Sequence, residues 1–280
     1  MSQPYSVLMS VYKKDDPSFL IAAIESMLKQ TVLCEQFIVV EDGPLPESLQ
    51  YVIDGYASKQ PELFSVVKLS ENMGLGRALD KGLEVCRNDL VARMDADDIS
   101  LPSRCEKLLD LFAKNPKLGL AGTNIDEFYD DPQNVVSSRK VPCDYESICK
   151  FMRRRSPFNH PSVMFKKSEV VRCGGYGKMK RKQDFDLFAR MLNMDCLALN
   201  IDESLLLFRS NKDNYKRRRS WEYCKSYIDV ALVNYKRGYC SIIDLAYIVV
   251  GQLTLHFAPM CVMTFLSDFF LRKRIDKKGK

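Results

Sequence analysis

Apolar residues in the first hundred positions follow two alternating patterns. Short, continuous apolar runs have the length of buried strands, and they cover Tyr5–Val11, Gln36–Val40, Phe64–Leu69 and Leu90–Met94. The segments between them have apolar residues at helical spacing, and they cover residues 15–30, 46–58 and 76–86. Strand and helix in alternation predict an α/β fold, with a parallel sheet covered by helices on both faces.

Polar residues follow each predicted strand. Tyr12 comes after the first strand, Asp42 after the second and Asn72 after the third, and Asp95-Ala96-Asp97-Asp98 follows the fourth. In parallel sheets, ligands bind beyond the carboxyl ends of the strands. Carboxylates crowded there repel one another unless a cation or polar ligand joins them, and Asp-x-Asp suits Mg2+ or Mn2+ carrying a diphosphate. The alternative is that Asp42 and Asp95 only cap helices.

A glycine-containing stretch, Gly74-Leu75-Gly76, follows the third strand. It is a poor match to a dinucleotide-binding fingerprint, because Leu79 takes the third glycine position and the stretch does not follow the first strand. We expect Asn72 and Gly74 to let the backbone turn close to a nucleotide. Arg77 either contacts phosphate or lies solvated on the helix.

Composition and charge narrow the class of protein. The 280 residues are 46% hydrophobic and 28% charged, which predicts a folded chain with a sizeable core. Ten cysteines without a Cys-x-x-Cys pair, and only two histidines, exclude a zinc finger and fit a reduced cytoplasm. No secretory signal is expected.

Positive charge is concentrated in the last quarter of the chain. Residues 206–280 carry 15 Lys and Arg against 6 Asp and Glu, whereas residues 1–205 carry 27 against 30. The basic quarter predicts contact with a polyanion, either anionic lipid or nucleic acid.

Three stretches together resemble the family 2 glycosyltransferases, which have the GT-A fold: Ser6–Tyr12, Ile38–Gly43 and Asp95–Arg104. The resemblance covers nearly the whole chain. It implies that Asp42 hydrogen-bonds the uracil of a nucleotide, that Asp95 contacts the ribose or the metal shell, and that Asp97 coordinates the cation. Asp98 is a further member of the metal motif. The nucleotide-sugar contacts expected on this basis are Val11, Tyr12, Asp42, Asn72, Gly74, Arg77, Asp95 and Ala96.

The family's second acidic motif falls on Lys182–Arg190. Here Gln183 replaces the first acid, and Asp184 holds the place of the catalytic base. The chemistry gives an independent reason, because inverting sugar transfer needs a carboxylate beside the acceptor hydroxyl, opposite the departing diphosphate. The alternative for Asp184 is an N-cap of a helix over Phe185–Leu192.

Further candidates for acceptor or phosphate contacts are His160, Asp186, Arg209 and Lys212. His160 belongs to a stretch similar to bacterial members that build surface polysaccharides, and a structural hydrogen bond is its alternative role. Asn211 stands where many relatives place a histidine. Arg209 and Lys212 can still neutralise phosphate there.

The C-terminal quarter has a helical pattern. A basic run at 215–219 precedes a helical stretch to about Lys236, and residues 245–267 contain no formal charge. That length would satisfy a membrane span, but Pro259 would break a single helix. We expect two amphipathic helices on anionic lipid, with a membrane span and a helical cap on the catalytic domain as alternatives. Nucleic acid is not expected as a partner, because no nucleic-acid-binding signature accompanies the basic run.

Together these features predict a GT-A catalytic domain over residues 1–205, with a nucleotide-binding half (1–100) and an acceptor-binding half (101–205), followed by a membrane-associating region (206–280). The expected activity is inverting, Mn2+- or Mg2+-dependent transfer of a hexose from a UDP-sugar to a saccharide on undecaprenyl diphosphate. The resemblance implies O-antigen, capsule or exopolysaccharide assembly at the cytoplasmic face of the inner membrane.

Two other classes are alternatives. A nucleotidyltransferase also needs metal-binding carboxylates on an α/β sheet, but it should have a glycine-rich loop after the first strand, and this chain has Ser10–Asp15 there. A degenerate lipid-binding partner protein is suggested by Gln183 and Asn211.

Overall fold

The structure, a computed structural model, describes residues 3–177, 179, 181–210, 219–257 and 273–274. In the first hundred residues strand and helix alternate as predicted. The strands are β1 (Tyr5–Val11), β2 (Gln36–Glu41), β3 (Phe64–Lys68) and β4 (Leu90–Asp95), and the helices are α1 (Pro17–Leu28), α2 (Glu47–Lys59) and α3 (Leu75–Val85). α1 begins at Pro17 because Asp16 Oδ1 accepts hydrogen bonds from the Ser18 and Phe19 amides.

The later elements add strands of two to thirteen residues and, nearer the C-terminus, two long helices. The strands are β5 (Ile99–Ser100), β6 (Leu118–Phe128), β7 (Val135–Arg139), β8 (Met164–Lys166), β9 (Leu197–Arg209) and β10 (Lys273–Arg274). The helices are α4 (Arg104–Lys114), α5 (Tyr145–Met152), α6 (Lys167–Arg172), α7 (Gln183–Asn193), α8 (Trp221–Lys236) and α9 (Ile242–Phe257). The domain boundary predicted after residue 205 falls inside β9.

The described strands form one mixed sheet in the order β10-β7-β6-β8-β4-β1-β2-β3, with β9 beside β6 and β5. β1, β2, β3 and β4 pair in parallel, as the alternating pattern predicts. Antiparallel pairs enter with the second half, where β7 returns along β6 and β8 lies antiparallel between β4 and β6. The β6–β7 connection is too short for a parallel crossover, which explains the change in direction.

Two apolar layers cover the sheet. Val7 and Met9 of β1 pack with α1, α2 and α4, whereas Leu8 packs with α3, α5 and α7 on the other face. β2 divides in the same way, with Val39 in the first layer and Ile38 in the second. Strands that are buried on both faces have continuous apolar sequences, so these strands could be located from the sequence.

The C-terminal helices pack on each other and on the catalytic body. Ala231 of α8 contacts α9 in a small apolar cluster. The Phe185 ring of α7 lies 5.2 Å from the Tyr227 ring of α8, and Arg154 Nε lies 2.6 Å from Asp244 Oδ1 of α9. The inner faces of α8 and α9 therefore pack on the catalytic body, as the helical-cap alternative predicts.

Within the part of the chain that the structure describes, no helix combines the length and apolarity that a membrane crossing needs. Most of the basic run at 215–219 lies outside the described residues, as do Pro259 and the apolar stretch beyond Phe257. The predicted second amphipathic helix beyond Pro259 stays a prediction.

Candidate active site

Three strand ends meet at one edge of the sheet. β1 lies between β4 and β2, with Ser10 opposite Asp95 and Val11 opposite Glu41. The chain leaves β1 towards β2 and β3 and returns to β4 on the other side of β1. The gap between β1 and β4 is therefore a topological switch point, where open α/β sheets bind ligands.

Asp95, Asp97 and Asp98 form an acidic cluster immediately after β4. Ligand oxygens of the three side chains lie within 4.8 Å of one another. Burial, with the charges of Asp97 and Asp95, raises the pKa of Asp98 well above its ordinary value. Desolvation and the Asp95 charge raise the pKa of Asp97 to about 6, although its side chain is exposed at the surface. These shifts mean that the fully ionised cluster is strained by its own charge.

Arg93 neutralises part of this charge from beneath. It is fully buried within β4, and its guanidinium hydrogen-bonds the Asp95 carboxylate. Its Nε and Nη1 have no partner among the described residues. Sequence reasoning missed Arg93, yet a charged residue inside an otherwise apolar strand was the available signal, since such a charge must be paired.

Arg209, predicted as a phosphate contact, ends β9 beside the cluster. Its amide donates to Asp98 Oδ1 at 2.9 Å, and its Nε donates to the Asp97 carbonyl at 2.9 Å. Its guanidinium carbon lies 3.8 Å from the Phe19 ring centroid and 4.6 Å from that of Phe128. Arg209 is thus held next to the acidic cluster, while its contact with phosphate stays a prediction.

The cluster suits a hard divalent cation. Carboxylate oxygens are the ligands that Mg2+ and Mn2+ prefer. Asp98 Oδ2 is buried, and no donor among the described residues reaches it. An unpartnered buried oxygen next to two further carboxylates is a donor set that a cation would satisfy.

Asp42 follows β2, and its carboxylate accepts three hydrogen bonds. Its oxygens accept from the Met73 amide at 2.7 Å, from Asn72 Nδ2 at 2.9 Å and from the Gly74 amide at 3.1 Å. Gly43 next to it has φ of 86°, and a Cβ there would lie 2.6 Å from the Asn72 amide nitrogen, so only glycine allows this approach. Asp42 therefore fixes the turn before α3. A uracil contact would be made in addition to these bonds.

The other predicted nucleotide contacts surround the same edge. Val11 and Ala96 are buried, so they could offer a ligand backbone atoms rather than side chains. Tyr12 is 41% exposed. Arg77 is exposed on α3, and the residues that the structure describes give it no hydrogen bond or ion pair. Both side chains can therefore reach a bound molecule.

Asp15 is a fourth carboxylate near the cluster, and sequence reasoning treated it only as part of a helix start. The Tyr12 amide donates to Asp15 Oδ2 at 2.9 Å. Desolvation, with the charges of Asp97 and Asp95, raises the pKa of Asp15 to about 7. The signal was the Asp-Asp pair before α1, because a helix needs only one capping side chain and Asp16 provides it.

Asp184 lies in the first turn of α7. The helix begins at Gln183, and its N-cap position belongs to Lys182, whose left-handed backbone has φ of 60°; this conformation costs a non-glycine residue roughly 1 kcal/mol. Asp184 is the second helical residue and not the N-cap, and the charge preference of the helix N-terminus remains its alternative role. Its carboxylate is half-buried and receives no hydrogen bond or ion pair from the described residues. A carboxylate in that state can accept a proton from a ligand.

Gln183, which replaces the family's first acid, is buried against α3. A Cβ on Gly76 would lie 3.1 Å from Gln183 Cγ, so the missing side chain of Gly76 makes room for it. α3 and the start of α7 are therefore closely packed, which brings the Asp184 turn to the nucleotide half of the fold.

Tyr176 connects Asp184 to the acidic cluster electrostatically. Burial raises the pKa of Tyr176 far above its usual range, and the charges of Asp184 and Asp95 act in the same direction. His160 Nε2 lies 2.9 Å from the Tyr176 hydroxyl. His160 is buried, and burial together with the Arg93 charge lowers its pKa well below the ordinary value, so its contacts in the structure are those of a neutral structural hydrogen-bonder.

Asp186 has a structural environment. It is buried, with Oδ2 2.9 Å from Arg190 Nε and Oδ1 2.7 Å from Arg237 Nη1, and so it links α7 to α8. Its predicted acceptor contact would compete with these two ion pairs. Lys212 and Asn211 lie outside the described residues.

The profile of "Glycosyl transferase family 2" matches residues 6–183. This range contains the acidic cluster and the Asp42 turn, and it ends one residue before Asp184. The chain belongs to glycosyl transferase family 2. The resemblance carried by the sequence motifs is thereby confirmed, and a nucleotidyltransferase loses its support.

Two bacterial proteins match this glycosyltransferase over nearly their full length. It is 35% identical over 269 residues to the "UDP-Gal:alpha-D-GlcNAc-diphosphoundecaprenol beta-1,3-galactosyltransferase" of Escherichia coli, covering 96% of the chain and 97% of the relative. It is 34% identical over 276 residues to the "Amylovoran biosynthesis glycosyltransferase AmsE" of Erwinia amylovora, covering 98% and 100%. These similarities confirm an enzyme, a glycosyltransferase of polysaccharide biosynthesis.

Solved structures with a similar fold include a mannosyltransferase, PcManGT from Pyrobaculum calidifontis in complex with GDP-Man and Mn2+. The TM-score is 0.64 at 14% identity, covering 92% of this glycosyltransferase and 71% of that chain. S. aureus TarS 1-349 in complex with UDP matches with a TM-score of 0.58 at 12% identity, covering 96% and 75%. At these identities the likeness shows the fold, and the predicted GT-A class is confirmed.

Proposed function

We propose that this glycosyltransferase transfers a hexose, with inversion at the anomeric carbon, from a UDP-sugar to a saccharide on undecaprenyl diphosphate, with Mg2+ or Mn2+ as cofactor. The observation that carries the proposal is the pairing of two kinds of carboxylate. The acidic cluster after β4 is suited to a cation, and Asp184 follows Gln183, which packs on Gly76 of α3 in the nucleotide-binding half.

The donor is proposed to lie at the edge formed by β1, β2 and β4. Asp42 holds the turn before α3, and Asp97, Asp98 and Asp95 would hold the cation. When bound, the cation supplies positive charge to the leaving diphosphate. Arg209 adds a fixed guanidinium beside the same carboxylates, where it would lower the cost of charge on the diphosphate. Complexes of similar fold with GDP-Man and with UDP support a nucleotide-sugar donor.

Asp184 is proposed as the general base. Its carboxylate would accept the proton of the acceptor hydroxyl as that oxygen forms a bond to the anomeric carbon and the bond from this carbon to the UDP oxygen breaks. Attack from the face opposite UDP inverts the anomeric configuration. The buried Tyr176 and Gln183 exclude water behind Asp184 and fix its helix against α3.

The acceptor class rests on similarity along the whole chain. The Escherichia coli relative is named for a donor, UDP-Gal, and for an acceptor, GlcNAc-diphosphoundecaprenol. We extend the lipid-linked acceptor to this chain, and with it a role in assembling O-antigen, capsule or exopolysaccharide.

A lipid-linked acceptor requires a membrane surface, and α9 offers a face for one. Ile243, Tyr247, Val250 and Phe257 recur at helical spacing and are 70%, 63%, 63% and 74% exposed. The Arg154 guanidinium carbon lies 4.8 Å from the Tyr247 ring centroid, so positive charge borders the apolar face. We propose that this face and the basic C-terminal quarter lie peripherally on the anionic cytoplasmic surface of the inner membrane.

Two experiments test these proposals. Purified protein incubated with Mn2+, a short-chain GlcNAc-diphosphate-lipid and a panel of UDP-sugars should release UDP with at least one donor, and release should need the acceptor. Failure with every UDP-sugar would overturn the donor class.

A second experiment tests the exposed apolar face of α9. The double variant Tyr247→Ser, Val250→Ser should no longer sediment with anionic liposomes while keeping activity on a soluble acceptor analogue. Sedimentation equal to that of wild type would contradict the assignment of this face.

A further inference from the structure

Lys182 has a backbone conformation that its side chain does not favour. It has φ of 60° and stands immediately before α7. Among the described residues, it shares a positive φ with only one other non-glycine residue, Asp195. Glycine would adopt this conformation without strain, so a lysine here needs contacts that hold it.

Two tyrosines of α8 supply those contacts. Lys182 Nζ donates a hydrogen bond to the Tyr223 hydroxyl. The same nitrogen lies 4.1 Å from the Tyr223 ring centroid and 4.8 Å from that of Tyr227, within the range of cation–π attraction. The side chain of Lys182 is thereby fixed between the catalytic body and α8.

α8 itself is anchored to α7 at two further points. The Tyr227 ring packs 5.2 Å from Phe185, and Arg237 pairs with the buried Asp186 at 2.7 Å. The two tyrosines therefore belong to a helix that is held against α7, so they can fix the position of the Lys182 side chain.

Asp184 lies in the chain between two residues that contact α8. Lys182 contacts Tyr223 and Tyr227, and Phe185 packs on Tyr227. Asp184 is two residues from Lys182, in the first helical turn. The dihedral angles of Lys182 set the direction in which that turn begins, and so they set where the Asp184 carboxylate points.

We infer that Lys182 is a positioning residue for the catalytic base: α8, through Tyr223 and Tyr227, holds the left-handed turn at Lys182 and thereby fixes the direction of Asp184. This inference rests on the proposed role of Asp184 as general base. It gives α8 a part in catalysis that is separate from any contact with a membrane. A base that is misplaced by a fraction of an ångström loses rate but leaves donor binding unchanged.

The test uses the full-length protein and steady-state kinetics. Lys182→Met removes the ammonium but keeps the chain length, and we expect kcat to fall about tenfold with the donor KM unchanged. Lys182→Arg keeps a cation over the tyrosines and should recover most of the lost rate. Tyr223→Phe keeps the ring but loses the hydroxyl, so a smaller loss of about threefold is expected. Lys225→Met, at an exposed lysine of α8, is the matched control, and its kcat should equal that of wild type.

A double-mutant cycle separates positioning from a general structural role. In the Asp184→Asn background there is no base to position, so Lys182→Met should cause no further loss of kcat. A full tenfold loss in that background, or wild-type kcat in the single Lys182→Met variant, would overturn the inference. The proposed function fails separately, since full activity of Asp184→Asn would remove the base whatever the Lys182 variants do. If Lys182→Met does not fold, Tyr223→Phe in both backgrounds decides the question by the same criterion.

Discussion

Carboxylates in this site divide into two groups by the partners they have. Asp42, at the end of β2, accepts three hydrogen bonds, and Asp186, within α7, is held by two arginines. Asp184 stands two residues before Asp186, yet it takes no hydrogen bond from the described residues, and Asp98 keeps one buried oxygen without a partner. Side chains of one chemical type therefore differ in how fully they are hydrogen-bonded.

The difference separates structural from chemical roles. A carboxylate that is held by several hydrogen bonds or ion pairs stabilises the fold around it, and removing it leaves those donors unsatisfied. A carboxylate with unused lone pairs at a ligand-binding edge can take a proton or a cation, and the fold gains little from it. Substitutions in the two groups should therefore affect different measurements.

The largest expected effect is on the chemical step. Asp184→Asn keeps the size of the side chain but removes its ability to accept a proton, so kcat should fall about 100-fold or more. Donor binding and the melting temperature should stay at wild-type values, because none of the described residues hydrogen-bonds or ion-pairs with this carboxylate. Stopped-assay rates and calorimetric UDP titration measure both quantities. Near-normal transfer by the variant would remove Asp184 from the mechanism.

The acidic cluster should control metal-dependent donor binding. UDP should bind about tenfold or more weakly in a chelator than in Mn2+, and Asp97→Ala should lower the affinity in Mn2+ to the chelated level. Asp110→Ala, at an exposed position on α4, is the matched control and should leave the affinity unchanged. Equal UDP affinity with metal and with chelator, measured by isothermal titration, would end the metal assignment.

Asp42→Ala should move the donor KM more than kcat. The substitution frees the amides of Met73 and Gly74 and lets the turn before α3 relax, and this turn contributes equally before and during the reaction. We expect the donor KM to rise about tenfold and kcat to change less than threefold. An unchanged KM would show that the turn does not serve the donor.

The smallest effect on catalysis should come from Asp186→Asn. The amide cannot hold both Arg190 and Arg237, so stability should fall by about 2 kcal/mol, which lowers the melting temperature by about 5 °C. The control is Glu203→Gln, in an exposed pair with Lys107, where little change is expected. An active-site phenotype without a loss of stability would move Asp186 into the same group as Asp184.

The fold was accessible from the sequence because it depends on long buried runs. β1 has the predicted bounds, and the other three parallel strands differ from prediction by a residue at one end. The short β5 and β8 were not predicted, because strands of two or three residues carry no usable period, and neither were the longer β6, β7 and β9.

The site was partly accessible for the same reason. Asp42 and Asp95 follow strands, and strand ends can be located from sequence. Arg93, two residues before Asp95 on the same face of β4, could have been found from its charge in an apolar strand. The partner of Asp98 could not be predicted, since Arg209 reaches it from a strand more than a hundred residues away. Such pairs depend on tertiary packing rather than on local pattern. The left-handed turn at Lys182 is a further case, because nothing local favours it.

The most direct test of the account is the anomeric configuration of the product. Wild-type protein, Mn2+, the UDP-sugar that supports turnover and a GlcNAc-diphosphate-lipid should give a single new glycosidic bond, and proton NMR should show its configuration to be the opposite of that in the donor. A product that retains the donor configuration would contradict single displacement with Asp184 as base.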